Sequence, residues 1–358
     1  MVKKTIAVLE GDGIGPEVTR EAIKVLNAIA LRFNHEFNYV YALIGGASLQ
    51  HHGVPLPPET IAVCRISDAI LFGAVGDARY DNLANAGKRP EQGLLELRKK
   101  LGLFANLRPI RSYPALYDRS PVKNNRLKDV DFIFFRELSS GIYFGEKKIS
   151  AGSASDLCLY TRAEIKRITI LALEAARNRN GKLCLVDKAN VLATSRLWRE
   201  VLQEQAVRFP EVKLEYLYVD HAAMQIVLNP ARFDVILTDN LFGDILSDEA
   251  SVLAGSIGLL PSASIGKGVS LFEPIHGSYP EAAGKNIANP AAAILSAAMM
   301  LEYAFGLPVE AALVTKAVTD SLAAGILTKD LDPLNGISTS EAGDAIARMV
   351  MEETMHHV

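Results

Sequence analysis

Strand-like and helix-like stretches alternate through most of this chain, and that alternation limits the fold more than any other feature. Lys4–Leu9 reads as a strand, a glycine turn follows, and a helix starts at Pro16, where the missing proline N–H would have no intrahelical partner. Val18, Ala22, Val25 and Ile29 recur every three or four residues, the period of one buried helix face. Phe37, Tyr39, Tyr41 and Leu43 alternate as a second strand. Ala69–Val75, Lys182–Val186 (leading into a helix through Trp198), Lys213–Val219 and Asp234–Leu237 continue the rhythm. The pattern predicts an α/β architecture with a largely parallel sheet.

Two stretches depart from it. Between Val130 and Tyr160 the text is strand-like, with Phe132–Phe135, a Ser-Ser-Gly turn, Ile142–Phe144 and Ala151–Ser155. It reads either as a β-arm reaching a partner subunit or as a surface ribbon. Beyond Asn289 the chain is almost all helix. At 358 residues there is room for about two domains. No linker separates them, so the domains are expected to share strands or exchange segments.

Composition removes several function classes. Hydrophobic residues at 49% and charged residues at 22% exclude a disordered chain. A net charge of −3 offers no general basic field for nucleic acid. Cys64, Cys158 and Cys184 are odd in number and far apart, which points to reduced thiols and not to a disulfide framework or a zinc site. The first apolar run ends at Glu10 and Asp12, too early for a signal peptide. The longest apolar candidate, Asn289–Leu301, is far short of the ~20 residues that span a bilayer. A soluble, cytoplasmic protein without nucleic-acid or membrane partners is expected.

Charge is uneven. Arg98 to Lys148 holds twelve Lys/Arg against five Asp/Glu, while the remainder holds 26 against 36. Such a run is either a solvated basic face or a site for a small polyanion.

Four constellations bear on that choice. Gly11-Asp12-Gly13-Ile14-Gly15-Pro16 sits between a strand and a helix, where a dinucleotide fingerprint would lie, but Pro16 stands where the third glycine should be. A plain tight turn fits it equally well. Asp244 and Asp248 are four apart on a helical stretch, so their carboxylates lie on one face and repel unless a cation intervenes. Oxygen ligands suit Mg²⁺ or Mn²⁺, with Asp220 at a strand end as a candidate third ligand; the plainer reading is an exposed acidic helix start. Arg98, Arg108 and Arg136 carry planar forks suited to a di- or tricarboxylate. Lys188, at a strand end, is a candidate base, and Tyr143 a candidate proton donor. Glu273-Pro274-Ile275-His276-Gly277-Ser278, running on through Glu281, Asn286 and Asn289, suits a nucleotide sugar and adenine, or is a helix connector.

Taken together these segments resemble the β-decarboxylating dehydrogenases of the isocitrate/isopropylmalate type, essentially end to end. Gly-Asp-Gly-Ile-Gly-Pro-Glu, Leu-Phe-Ala-Asn-Leu-Arg-Pro, Asn-Leu-Phe-Gly-Asp-Ile-Leu-Ser-Asp and Glu-Pro-Ile-His-Gly-Ser carry the likeness. The resemblance implies a two-domain α/β fold of that family, not a Rossmann fold, with a β-arm for dimerisation at about 130–160. Residues 1–103 with 256–358 would form the first domain, and 104–255 the second. It further implies oxidative decarboxylation of 3-isopropylmalate in leucine biosynthesis, with NAD and Mg²⁺ or Mn²⁺. Arg98, Arg108 and Arg136 would take the substrate carboxylates, Asp220, Asp244 and Asp248 the metal, Lys188 the proton of the hydroxyl, and Tyr143 the protonation of carbon. Lys188 and Asp220 would serve the partner's site in a homodimer, Asp220 touching substrate as well.

Glu273, His276, Gly277, Ser278, Glu281, Asn286 and Asn289 would hold NAD, and the N-terminal glycine turn would not. The family loop usually reads Ser-Ala-Pro-Asp, whereas this chain has Ser278-Tyr279-Pro280-Glu281. An acid there repels the 2′-phosphate of NADP and so favours NAD. Glu91, Leu94 and Leu95 place an apolar pair beside a carboxylate, which suits an isopropyl substituent; the alternative is that both leucines are helix core. A non-catalytic subunit of the same fold would be expected to lack one of Lys188, Tyr143 or the three aspartates, and all five are present.

Overall fold

The protein is described by a computed structural model covering residues 1–80 and 89–353. Its strands are β1 (Lys3–Gly11), β2 (Glu36–Tyr41), β3 (Ala69–Ala74), β4 (Leu103–Arg111), β5 (Asp131–Glu137), β6 (Lys147–Ile149), β7 (Ala154–Asp156), β8 (Lys182–Asp187), β9 (Lys213–Tyr218), β10 (Val235–Thr238), β11 (Pro261–Gly266) and β12 (Leu271–Pro274). Its helices are α1 (Gly15–Phe33), α2 (Gly45–His52), α3 (Pro58–Ile66), α4 (Pro90–Leu101), α5 (Asn124–Leu127), α6 (Arg162–Asn178), α7 (Ala193–Ala206), α8 (Val219–Leu228), α9 (Asn240–Ser251), α10 (Ala291–Tyr303), α11 (Pro308–Ala323) and α12 (Thr339–Glu352). Two compact units emerge. One comprises Met1–Gly102, Tyr113–Arg119 and Gly255–Val358, the other Leu103–Ser112 and Ser120–Ala254.

In the first unit the strands run β2-β1-β3-β12-β11, parallel except for the β11–β12 pair. Ile6 to Leu9 of β1 are fully buried, and the apolar stripe of α1 (Val18, Ala22, Val25, Ile29) packs on β1, β2 and β3. The alanine-rich α10 is buried along Ala291–Leu301, against β11, β12, α1 and α11. The longest apolar stretch of the sequence is therefore a core helix. Among the described residues no helix is long and apolar enough to cross a membrane.

In the second unit the order is β4-β5-β10-β8-β9, parallel except for β4–β5. Phe132, Phe134 and Phe135 of β5 are among the largest fully buried side chains. Hence β5 belongs to the sheet and is no part of an arm. The ribbon expected over about 130–160 is confined to β6 and β7, a two-stranded hairpin whose residues are all exposed. Ile142–Phe144, expected as strand, instead includes the end of a 3₁₀ turn, Gly141–Tyr143. Gly141 permits that turn with φ +80°, and a Cβ there would lie 2.1 Å from the Tyr160 hydroxyl.

The N-terminal glycine turn has a structural task. Asp12 is buried and accepts the N–H groups of Gly46 (2.9 Å), Ala47 (2.8 Å) and Gly76 (3.0 Å), tying the end of β1 to the start of α2 and the residues after β3. Gly13, at φ +58°, lies so close to residue 278 that a Cβ would sit 1.9 Å from the Ser278 carbonyl oxygen, which accepts the Ile14 N–H at 2.8 Å. The turn seats the 275–289 loop. Gly13→Ala is therefore expected to lower the unfolding free energy by about 1–3 kcal/mol, from backbone strain and the clash. Gly277→Ala, with open space at its Cβ, should stay within about 0.5 kcal/mol of the wild type. Urea unfolding of both variants measures this, and equal losses would contradict the seating role.

Candidate active site

The second unit gathers five of the candidate residues around α9. Asp239 caps that helix by accepting the Phe242 N–H at 2.9 Å, so Asp244 and Asp248 lie beyond its first turn, not at an acidic start. Arg108 projects from within β4, its Nη1 2.8 Å from both Ser247 Oγ and Asp248 Oδ1, its Nη2 3.8 Å from Asp244 Oδ1. Arg136, near the end of β5 and buried, forms an ion pair with Asp244. It can lie across α9 because residue 243 is glycine: a Cβ there would be 2.7 Å from Arg136 Cγ. Tyr143 donates its hydroxyl to Asp244 Oδ2 at 2.9 Å, under a guanidinium 5.9 Å from its ring centre. Burial, then the bond to Asp244, pushes the Tyr143 hydroxyl above the ordinary phenol range, so it keeps its proton.

Lys188 and Asp220 form their own pair. Lys188 follows β8, its N–H bonded to Ser195 Oγ at 3.1 Å, and its ammonium pairs with Asp220 in the first turn of α8. That hydrogen bond holds the exposed Asp220 carboxyl below the usual carboxylate range. Among the described residues of one chain, no three His, Cys, Asp or Glu side chains come together as a metal cage. The expected trio is thus divided: Asp244 and Asp248 share a face of α9, and Asp220 sits with Lys188. The donor chemistry of Asp244 and Asp248, carboxylate oxygen only, fits a hard cation such as Mg²⁺ or Mn²⁺.

The remaining candidates belong to the first unit. On α4 the buried face is Pro90, Gly93 and Leu97. Leu94 is half-buried and Leu95 is 53% exposed, so neither is helix core, and Glu91 lies on the exposed side. Arg98 Nη2 pairs with the buried Glu273 Oε1 at 2.5 Å. After β12 the loop holds His276, whose Nδ1 contacts the Gly277 carbonyl at 2.9 Å while Nε2 is enclosed without a described partner. Burial lowers its pKa, leaving the ring neutral near pH 7. An orphaned buried nitrogen beside open space at Gly277 and the buried Ser278 is a setting that fits a polar ligand such as a nucleotide.

Farther along this loop, Glu281 is exposed and makes no hydrogen bond to a described residue. Asn286 exchanges hydrogen bonds with Ser340 (2.9 and 3.0 Å), and Asn289 bonds Asp330 (3.2 Å) and the Ala291 N–H (3.0 Å). Their side chains thus anchor the loop. Asn286 also lines an open cavity of about 560 Å³ with Glu17, Arg20 and Ser340.

The family model for Isocitrate/isopropylmalate dehydrogenase matches residues 5–346. The chain belongs to that family. The 3-isopropylmalate dehydrogenase of Geobacillus kaustophilus is 53% identical over 98% of this chain and 96% of its own, and that of Bacillus subtilis 50% identical over the whole of both. Among solved structures, the isocitrate dehydrogenase from Methylococcus capsulatus aligns with a TM-score of 0.84 at 34% identity, covering 98% of this chain and 100% of its own. A β-decarboxylating dehydrogenase from Thermococcus kodakarensis, in its apo form, aligns at 0.82 and 39%, covering 97% and 96%. The α/β fold of the isocitrate/isopropylmalate dehydrogenases is thereby established for this chain.

For a member of this family, sequence reasoning overlooked the residues that hold the arginines. Asn106 Oδ1 accepts Arg108 Nε at 2.8 Å, and Asn240 Oδ1 accepts Arg136 Nε at 3.0 Å. Both asparagines lie inside the quoted motifs, and Asp239, directly before a helical run, carried a cap signal. Burial, the main cause, pushes the Asp239 carboxyl up to about 6, with Glu137 and Asp187 adding to the rise and the cap bond and Arg136 opposing it. Because this value exceeds that of the unfolded chain, the native state binds the proton first. The resulting stability is complete below about pH 4 and lost as pH rises through about 6. Asn caps a helix as well as Asp does, so Asp239→Asn should gain about 1–3 kcal/mol relative to the wild type between pH 4 and 7.5. Denaturant unfolding at both pH values checks this; a difference independent of pH would contradict it.

Proposed function

We propose that the chain oxidises and decarboxylates 3-isopropylmalate to 4-methyl-2-oxopentanoate while reducing NAD, in leucine biosynthesis, and that it does so in the cytoplasm. The convergence of two arginines, a protonated tyrosine and two carboxylates on one face of α9 carries the reading. Arg98, Arg108 and Arg136 anchor the two substrate carboxylates, and Leu94 and Leu95 bury the isopropyl group, worth roughly 1.5–3 kcal/mol. Isocitrate would place a third carboxylate on that apolar pair, beside Glu91.

Asp244 and Asp248, with Asp220 of a second copy, would hold Mg²⁺ or Mn²⁺, and His276, Gly277, Ser278 and Glu281, with Glu273 beside them and Asn286 and Asn289 anchoring the loop, would hold NAD. When bound, these groups supply a Lewis acid for the hydroxyl oxygen and a hydride acceptor. Lys188, as the neutral amine, would accept the hydroxyl proton as the C–H hydride departs to the NAD that would be bound. The carboxylate β to the new carbonyl then leaves as CO₂, its bonding electrons moving toward that carbonyl. Tyr143 delivers the proton that completes the product carbon.

A second copy of the chain is part of the proposal. Met224, Val227 and Leu228 of α8 and Ile245 of α9, two helices in mutual contact, are all more than 40% exposed. An apolar stripe of this kind suits a two-fold, self-complementary interface. The hairpin β6–β7, with Ile149 at 88% exposed, suits the arm of the same dimer.

One assay tests the reading: NADH release from 3-isopropylmalate, isocitrate, homoisocitrate and tartrate, with NAD or NADP, before and after chelation. 3-Isopropylmalate with NAD should give the highest kcat/KM, EDTA should abolish it, and Mg²⁺ or Mn²⁺ should restore it. Glu281→Lys should narrow the NAD preference roughly tenfold or more, the scale of a charged hydrogen bond. Higher activity on isocitrate, or full activity after exhaustive chelation, would refute the assignment.

A further inference from the structure

Asn240 sits at the first position of α9, 1% exposed, and each of its polar groups has a partner. Its Oδ1 accepts two N–H groups from Arg136, Nε at 3.0 Å and Nη2 at 2.8 Å. Its Nδ2 donates to the Ser140 carbonyl at 3.1 Å, and its backbone N–H donates to the Tyr160 hydroxyl at 3.0 Å. Ser140 immediately precedes the turn Gly141–Tyr143, and the Tyr160 hydroxyl lies directly under Gly141. One buried amide therefore joins three things: the guanidinium of Arg136, the turn that presents Tyr143, and the start of the helix that carries Asp244 and Asp248.

From this geometry we infer that Asn240 is a positioning residue for the reaction, aligning Arg136 and Tyr143 as one body. The inference rests on the reading above, in which Arg136 takes a substrate carboxylate and Tyr143 supplies a proton. An amide suits the task because it alone among side chains of this size offers an acceptor and a donor at a fixed angle. The acceptor takes the Nε edge of the guanidinium, which turns Nη1 toward Asp244. The donor fixes the carbonyl from which the tyrosine turn begins. Burial makes both halves strong, since an unpaired guanidinium N–H or carbonyl here has no water to replace the lost partner.

The two halves separate by substitution. Asn240→Asp keeps an acceptor for Arg136 and removes the donor to Ser140, whereas Asn240→Ala removes both. The expected outcome is a split: Asn240→Asp holds KM for 3-isopropylmalate within about threefold of wild type while kcat falls roughly tenfold, the scale of a lost buried hydrogen bond. Asn240→Ala raises KM roughly tenfold or more and lowers kcat as well. A role in folding alone would reduce the folded fraction and leave the constants of the folded enzyme unchanged, which would overturn the inference. So would identical kinetics in the two variants. The Arg136 Nε–H resonance gives a readout that needs no turnover: slow solvent exchange in the wild type and Asn240→Asp, fast in Asn240→Ala. If the wild type shows that protection but does not turn over 3-isopropylmalate, the substrate reading fails and the hold on Arg136 stands. Fast exchange in the wild type would remove the hold itself.

Discussion

Asp244 receives the Arg136 guanidinium on one oxygen and the Tyr143 hydroxyl on the other, and the second unit is arranged around that shared charge. Two carboxylates four residues apart on a helix repel each other. Here Arg108 and Arg136 offset the repulsion, one reaching Asp248 and the other Asp244. A buried guanidinium such as Arg136 must itself be paired, because an isolated charge removed from water is costly. The acids and arginines therefore hold one another in place before any ligand arrives. In the proposed reaction Asp244 and Asp248 would turn from the arginines to a hard cation, and Arg108 and Arg136 would take the substrate carboxylates. The same charges that hold one another in place would then form the binding set.

The loop of the first unit is governed by close backbone approach. Gly13 is the only residue type that fits against the Ser278 carbonyl at that φ, and Asp12 gathers three N–H groups around the turn. Glu17, in the first turn of α1, accepts the N–H groups of Gly284 and Asn286 from farther along the loop. A glycine turn that looks like half of a dinucleotide fingerprint is thus a support for a different loop. Its departure from the fingerprint, proline at the third glycine position, has this local explanation: Pro16 opens α1.

Much of this was legible in the sequence because it is periodic. The α1 stripe and the apolar runs of β5 and β8 announce their own burial, whereas of the alternating residues in β2 only Phe37 is buried and Tyr41 is exposed. What stayed hidden lacks a period. Strand β4 contains Asn106, Arg108 and Pro109, a mixture that hides an antiparallel strand buried from Leu103 to Leu107. Strands β11 and β12 are short, and Glu273-Pro274 reads as loop until Glu273 is seen buried against Arg98. The Arg98, Arg108 and Arg136 reading required a resemblance, because spacing along the chain says nothing about which arginines meet. Arg108 and Arg136 meet the α9 acids, while Arg98 pairs with Glu273. Asn106 and Asn240 were visible as letters, but their role depends on which way an amide points.

In the proposed site one chain would supply Arg108, Arg136, Tyr143, Asp244 and Asp248, and Lys188 and Asp220 would serve a second copy. The most direct measurement mixes two inactive variants, Lys188→Ala and Asp244→Asn, by unfolding and refolding them together. If sites are shared between copies, each heterodimer contains one site with both residues intact, and random pairing restores about a quarter of wild-type activity. If every site is built from a single chain, each site in the mixture carries a defect, and activity stays at the level of the separate variants. Restoration near a quarter is expected; none, with heterodimers present, would rule out sites shared between copies.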